Sequence, residues 1–148
     1  MFGGETGKPG RLRIKICGIT NAADAEAAVE LGADALGFNF YSRSKRYLEL
    51  ETAADWIAQL PPEVSRVAVL VNPTFEEALA VARRPFITGL QLHGAEPADF
   101  GAYLSRAGVQ FAKAVPVADW DSLAGLPFYG TNLLVLDSAS AGAFGGSG

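Results

Sequence analysis

Short apolar segments recur along the chain at a near-constant spacing: RLRIKIC at 11–17, ALGFNF at 35–40, RVAVLV at 66–71, GLQLH at 89–93, FAKAV at 111–115 and LLVLD at 133–137. Their length and β-branched content predict strands. The stretches between them carry helix signals. NAADAEAAVELG has Asn21 as an N-cap with Asp24 three residues on, and stops at Gly32; PTFEEALAVARR sets Thr74 and Glu77 at capping-box spacing. LETAADWIAQLPP predicts a helix ended by its prolines, Glu96 to Arg106 predicts one closed by Gly108, and ADWDSLAG predicts a short, weak one. Strands alternating with helices imply parallel strands joined by crossovers. No linker or shift of composition divides residues 11–148, which read as one domain behind a Gly- and Pro-containing tail over 1–10.

Side-chain alternation then separates an open doubly wound sheet from a barrel. An open sheet covered on both faces needs two apolar faces, whereas a barrel needs one helix-facing side and one side that opens at the C-terminal mouth. Leu12, Ile14 and Ile16 oppose Arg13, Lys15 and Cys17 in the first strand, and Leu90 and Leu92 oppose Gly89, Gln91 and His93 in the fourth. In the third, Val67, Val69 and Val71 oppose Arg66, Ala68, Leu70 and Asn72; in the sixth, Leu134 and Leu136 oppose Leu133, Val135 and Asp137. The face that is not wholly apolar carries its polar residue near the strand's C-terminal end, and Asn39 and Lys113 extend the pattern to the second and fifth strands. The mixed faces are therefore expected to be the inner ones. The expected fold is an α/β, (β/α)8 TIM barrel, incomplete here, with six strands and five helices. Eight strands occupy about 250 residues, so GAFGGSG falls where a loop after strand six is expected rather than where a domain closes.

Composition narrows the function. A net charge of −4 gives neither nucleic acid nor an anionic membrane the basic face it needs, and no run of apolar residues has transmembrane length. The single cysteine excludes an internal disulfide and fits the cytosol.

Barrel geometry would gather Cys17, Asn39, Asn72, Gln91, His93, Lys113 and Asp137 at one rim. Cys17 ends its strand and is followed by Gly18, which lets a substrate approach; a packing role is the alternative. Asp137 follows four aliphatic residues on the inward face and is expected to be partly buried, although loop capping also suits it. His93 is equally a structural histidine. Lys113 reads as an interior lysine with a carboxylate neighbour, or as a Schiff-base amine. Cys17, His93 and Asp137 are metal-ligand types without a spacing signature, and no metal is expected. YSRSKRYLEL places Arg43, Lys45 and Arg46 in a basic loop at the mouth of an acidic chain, which suits an anionic substrate.

KICGIT, GADALGFNFYSRSKRY, VLVN, LQLHG, KAV and LLVLDS with GGSG occur in that order, and together they resemble phosphoribosylanthranilate isomerase of tryptophan biosynthesis across residues 13–148. The resemblance implies a cofactor-free Amadori rearrangement of N-(5-phosphoribosyl)anthranilate. Its product is 1-(o-carboxyphenylamino)-1-deoxyribulose 5-phosphate. It implies Cys17 as general base, Asp137 as general acid, Arg46 as partner of the anthranilate carboxylate, and Gly145 and Gly146 in a loop that folds over substrate. The family's phosphate clamp lies in loops after strands seven and eight, which have no counterpart in these 148 residues. The expectation is that this polypeptide alone is poorly folded and inactive or nearly so, with self-association through open sheet edges. A non-catalytic binding or assembly protein derived from the same barrel is the alternative.

Overall fold

The computed structural model describes residues 11–124 and 126–138. Six parallel strands pair in sequence order: β1 (Lys15–Cys17), β2 (Ala35–Asn39), β3 (Ser65–Leu70), β4 (Gly89–Leu92), β5 (Phe111–Val117) and β6 (Leu134–Ser138). Between them run α1 (Ala22–Glu30), α2 (Leu50–Ala58), α3 (Phe75–Ala82), α4 (Ala98–Arg106) and the single turn α5 (Asp121–Ala124).

The helix starts follow local chemistry. The Asn21 side chain accepts the Asp24 amide, and Thr74 and Glu77 form a reciprocal capping box. Glu49 caps α2 by accepting the Glu51 and Thr52 amides; these bonds, Thr52's foremost, hold its carboxyl below the usual glutamate range. Helix α4 begins two residues later than the sequence pattern suggests, because Pro97 occupies its N-cap and Glu96 is buried in the preceding loop.

Two apolar layers flank the sheet. Outside, Leu36, Phe38, Ala68, Leu70, Leu90, Leu92 and Phe111 pack against Ala25, Ala53, Ile57, Ala78 and Leu104 of the helices. Inside, a smaller cluster joins Ala35, Val67 and Ala112, with Val135 against it. The inner side chains are small, and they leave room above them for polar groups.

This assignment corrects the reading of two strands. In β3 the inner residues are Val67 and Val69, which pair with Gly37 and Asn39 of β2, while Ala68 and Leu70 face the helices. Arg66 reaches outward to the Leu60 and Pro61 carbonyls. Asn72 lies beyond the strand with φ 47°, a left-handed turn that breaks the alternation. In β5 the inner residues are Ala112 and Ala114, paired with Gln91 and Val135, so Lys113 lies on the outer face with Phe111. Polar residues near strand ends marked the mouth, but in these two strands not the inward face.

The sheet is strongly curled. Strands three places apart in a flat sheet lie about 14 Å from one another with parallel side chains. Here Lys15 of β1 nevertheless donates a hydrogen bond to Gln91 of β4 across the interior. The curl brings the mouth together as in a partial (β/α) barrel. Strands β1 and β6 each pair on one side among the described residues, and their outer faces expose Leu12, Ile14, Ile16, Leu134 and Leu136.

Phe38 is fully buried and stacks edge-on against Trp56 at 5.6 Å, so Phe38→Ala should lower the unfolding free energy by about 3–5 kcal/mol. Thr74→Ala, which removes only a cap, should lower it by about 1 kcal/mol. Urea titration separates the two; similar losses would contradict this description of the core.

Candidate functional site

The inner faces of β1, β4 and β6 deliver a connected set of polar side chains. Lys15 Nζ donates to Gln91 Oε1, Gln91 Nε2 lies 2.6 Å from His93 Nδ1, and His93 Nε2 lies 3.0 Å from Asp137 Oδ2. The Ser138 amide donates to the other oxygen, Asp137 Oδ1, at 2.9 Å. His93 and Asp137 are partly buried, with side chains 18% and 32% exposed. The partial burial expected for Asp137 is present.

Cys17 sits two residues beyond Lys15 on the same face and is exposed. The space around its thiol depends on Gly37 in the neighbouring strand: a Cβ there would lie 2.8 Å from Cys17 Sγ and 3.1 Å from Lys15 Cε. Immediately after the strand, Gly18 takes φ 87°, and a Cβ on it would lie 2.5 Å from the Arg46 side chain. Arg46 is laid across this glycine, and its Nη1 donates to the Cys17 carbonyl at 2.9 Å. The anionic-substrate candidate and the thiol candidate are thus adjacent.

Asn39 at the end of β2 organises the loop that carries Arg46. Its Oδ1 accepts the Tyr41 amide and its Nδ2 donates to Ser44 Oγ, which accepts the Arg46 amide at 3.1 Å. The Leu48 amide returns to the Asn39 carbonyl. Ser44 is a site-shaping residue that sequence reasoning passed over; an Asn followed five residues later by Ser in a tight basic loop was its only signal.

Asn72 and Lys113 belong to a second arrangement on the outer side of the same rim. Lys113 Nζ pairs with Glu96 Oε2 at 2.8 Å and donates to the Gly94 carbonyl at 2.7 Å. Both partners are almost wholly buried, with side chains 4% and 2% exposed. Glu96 also accepts the Asn72 and Gly94 amides, and Asn72 Oδ1 accepts the Ala95 amide. The carboxylate neighbour expected for Lys113 is Glu96, but the lysine is not inside the barrel. Its ammonium is already committed to a carboxylate and a carbonyl of the loop after β4, and Glu96 in turn ties that loop to Asn72 after β3. Glu96 went unnoticed as a site residue because the sequence pattern made it the first residue of the helix, where an acid is ordinary.

Gly145 and Gly146 lie outside the described residues. Among the described residues, no group of three or more His, Cys, Asp or Glu is placed to hold a metal ion, and no helix is long and apolar enough to cross a membrane.

A curled parallel sheet in sequence order, with its polar groups on the C-terminal ends of the strands, is the architecture of the (β/α)8-barrel class. Within that class the chain belongs to the N-(5'-phosphoribosyl)anthranilate (PRA) isomerase family, whose model matches residues 14–148. It is 42% identical over 137 residues to the N-(5'-phosphoribosyl)anthranilate isomerase of Thermotoga neapolitana, covering 93% of this chain and 66% of that protein. To the Geotalea daltonii isomerase it is 43% identical over 136 residues, covering 92% and 64%. The chain therefore spans slightly less than two thirds of the length of these relatives. Among solved structures, the phosphoribosylanthranilate isomerase of Thermotoga maritima superposes with a TM-score of 0.79 at 37% identity, covering 93% of this chain and 66% of that one. A phosphoribosylanthranilate isomerase in complex with reduced 1-(o-carboxyphenylamino)-1-deoxyribulose 5-phosphate gives 0.73 at 43% identity, covering 77% and 58%.

The buried pair supplies a test of the rim. Glu96→Ala strands a buried ammonium and should cost about 3–5 kcal/mol of stability by denaturant unfolding. Replacing both partners by apolar residues, Glu96→Leu with Lys113→Met, should cost clearly less. A double variant worse than the single one would contradict the charge argument.

Proposed function

We propose that this chain carries the acid–base half of a phosphoribosylanthranilate isomerase active site. The reaction is the Amadori rearrangement of N-(5-phosphoribosyl)anthranilate, a step of tryptophan biosynthesis. The observation that carries the proposal is the placement of Cys17 and Asp137 on the inner faces of β1 and β6, at one rim, in a chain that belongs to this family.

Asp137, as general acid, gives its proton to the ribose ring oxygen. The C1–oxygen bond breaks, and the anilino nitrogen's lone pair forms a Schiff base at C1. Cys17, as thiolate, removes the proton from C2, and that electron pair gives the enolamine. Protonation at C1 and loss of the enol proton yield the 2-ketone. No oxidant or cofactor enters the balance. A thiol is mostly protonated at neutral pH, so the base role needs help from its surroundings. Lys15 shares the inner face with Cys17, its Cε lying beside the same Gly37 position as Cys17 Sγ. In this reading Arg46, which lies over Gly18 and donates to the Cys17 carbonyl, takes the anthranilate carboxylate on its remaining donors. The family resemblance assigns Gly145 and Gly146, which lie outside the described residues, to a loop that folds over substrate. The single cysteine suits a cytosolic setting.

A second reading, a barrel-derived assembly protein, draws support from the exposed apolar outer faces of β1 and β6. Size-exclusion chromatography addresses it: a sharp dimer without turnover would favour that reading.

Conversion of N-(5-phosphoribosyl)anthranilate, followed by loss of substrate fluorescence, tests the catalytic roles. In a chain completed with the strand–helix units its relatives carry, Cys17→Ala and Asp137→Asn should each lower kcat by about 10²–10⁴-fold. Arg46→Gln should act mainly on KM. Variants of Cys17 and Asp137 that both turn over like the parent would overturn the assignment.

A further inference from the structure

The polar chain that crosses the interior has a direction, and the direction fixes the state of its one imidazole. A lysine ammonium has three donors and no acceptor, so the Gln91 atom facing Lys15 must be the carbonyl oxygen. That places the Gln91 amide NH2, which can only donate, against His93 Nδ1 at 2.6 Å. His93 Nδ1 therefore accepts and carries no proton. The ring proton sits on Nε2, which faces Asp137 Oδ2 at 3.0 Å and donates to it.

We propose that His93 is a positioning residue, held by the Lys15–Gln91 pair as its Nε2–H tautomer so that it always presents a donor to Asp137. This rests on the reading of Asp137 as the acid. A carboxyl that gives up a proton acquires negative charge at that moment, and donors already aimed at it stabilise the charge without reorganisation. Two such donors stand ready: His93 Nε2–H on Oδ2 and the Ser138 amide on Oδ1. They also fix the plane of the carboxyl, leaving one lone pair on each oxygen for the transferred proton and the substrate. The contact between His93 and Asp137 is accordingly a hydrogen bond from a neutral ring and not an ion pair. Lys15, on the far side of the barrel interior, acts on Asp137 through two intervening side chains.

The imidazole tautomer is read directly from the 15N shifts and long-range 1H–15N couplings of the labelled protein, with the His93 signals identified by their loss in His93→Gln. The expected pattern is an unprotonated, acceptor-type Nδ1 and a protonated Nε2; a protonated Nδ1 would overturn the proposal. In the isomerase assay, His93→Leu should lower kcat by about 10–100-fold while KM moves far less. His93→Gln, whose amide nitrogen reaches the position of Nε2, should restore most of kcat even if the leucine variant folds poorly. Full kcat in His93→Leu, or no recovery in a folded His93→Gln, would count against the positioning role. Should the parent show no turnover even in a chain completed with the strand–helix units its relatives carry, the functional reading fails, while the tautomer is still decided by the spectrum.

Discussion

The structure depends on one constraint: neighbouring strands are consecutive, parallel and curled, so alternate side chains from every strand share a single interior. The hydrogen bond from Lys15 in β1 to Gln91 in β4 exists only because of that curl. Small residues make the curl possible. Ala35, Val67, Ala112 and Val135 fill the lower interior, and Gly37 leaves the gap into which both the Cys17 thiol and the Lys15 stem fit. The larger Leu36, Phe38, Leu90 and Leu92 go to the outer face, where the helices bury them. Size as well as polarity is therefore sorted between the two faces.

Two lysines show how position decides the use of a charge. Lys113 is removed from water on the outer side of β5, where an unpaired ammonium would carry a penalty of several kcal/mol. Glu96 and the Gly94 carbonyl compensate it, and the result is a clamp on the loops after β3 and β4. Lys15 lies inside, and its charge is spent on orientation: it turns Gln91, which turns His93, which meets Asp137. The first lysine holds the rim in shape. The second sets the polarity of what the rim presents.

Much of this was legible in the sequence. The strand count, the sequential order implied by alternating elements, the caps at Asn21 and Thr74, and the inner placement of Cys17, Gln91, His93 and Asp137 follow from spacing and alternation. Alternation misled where a polar residue near a strand end had another cause. Arg66 is polar because it reaches the carbonyls that end the α2 connection, and Asn72 because it makes a left-handed turn. Lys113 shows the same limit more sharply, since a lysine in a strand of small apolar residues gives no hint that its carboxylate lies in the next loop over. Contacts that join distant segments, such as Lys15 with Gln91 or Asn72 with Glu96, have no local signature at all. The first emerges only when the sheet curls, and the second when β3 and β4 pair side by side.

Cys17 and Asp137 share one mouth, and the proposed function sets the sugar–anthranilate ligand between them. The chain has one cysteine, so its alkylation reports on that mouth alone. The most direct measurement is the rate of iodoacetamide alkylation of Cys17 with and without saturating reduced 1-(o-carboxyphenylamino)-1-deoxyribulose 5-phosphate. The account predicts strong protection, relieved when Arg46→Gln weakens the ligand's hold. Saturable binding with an unchanged alkylation rate would contradict it, because the ligand would then occupy a place that leaves the thiol open.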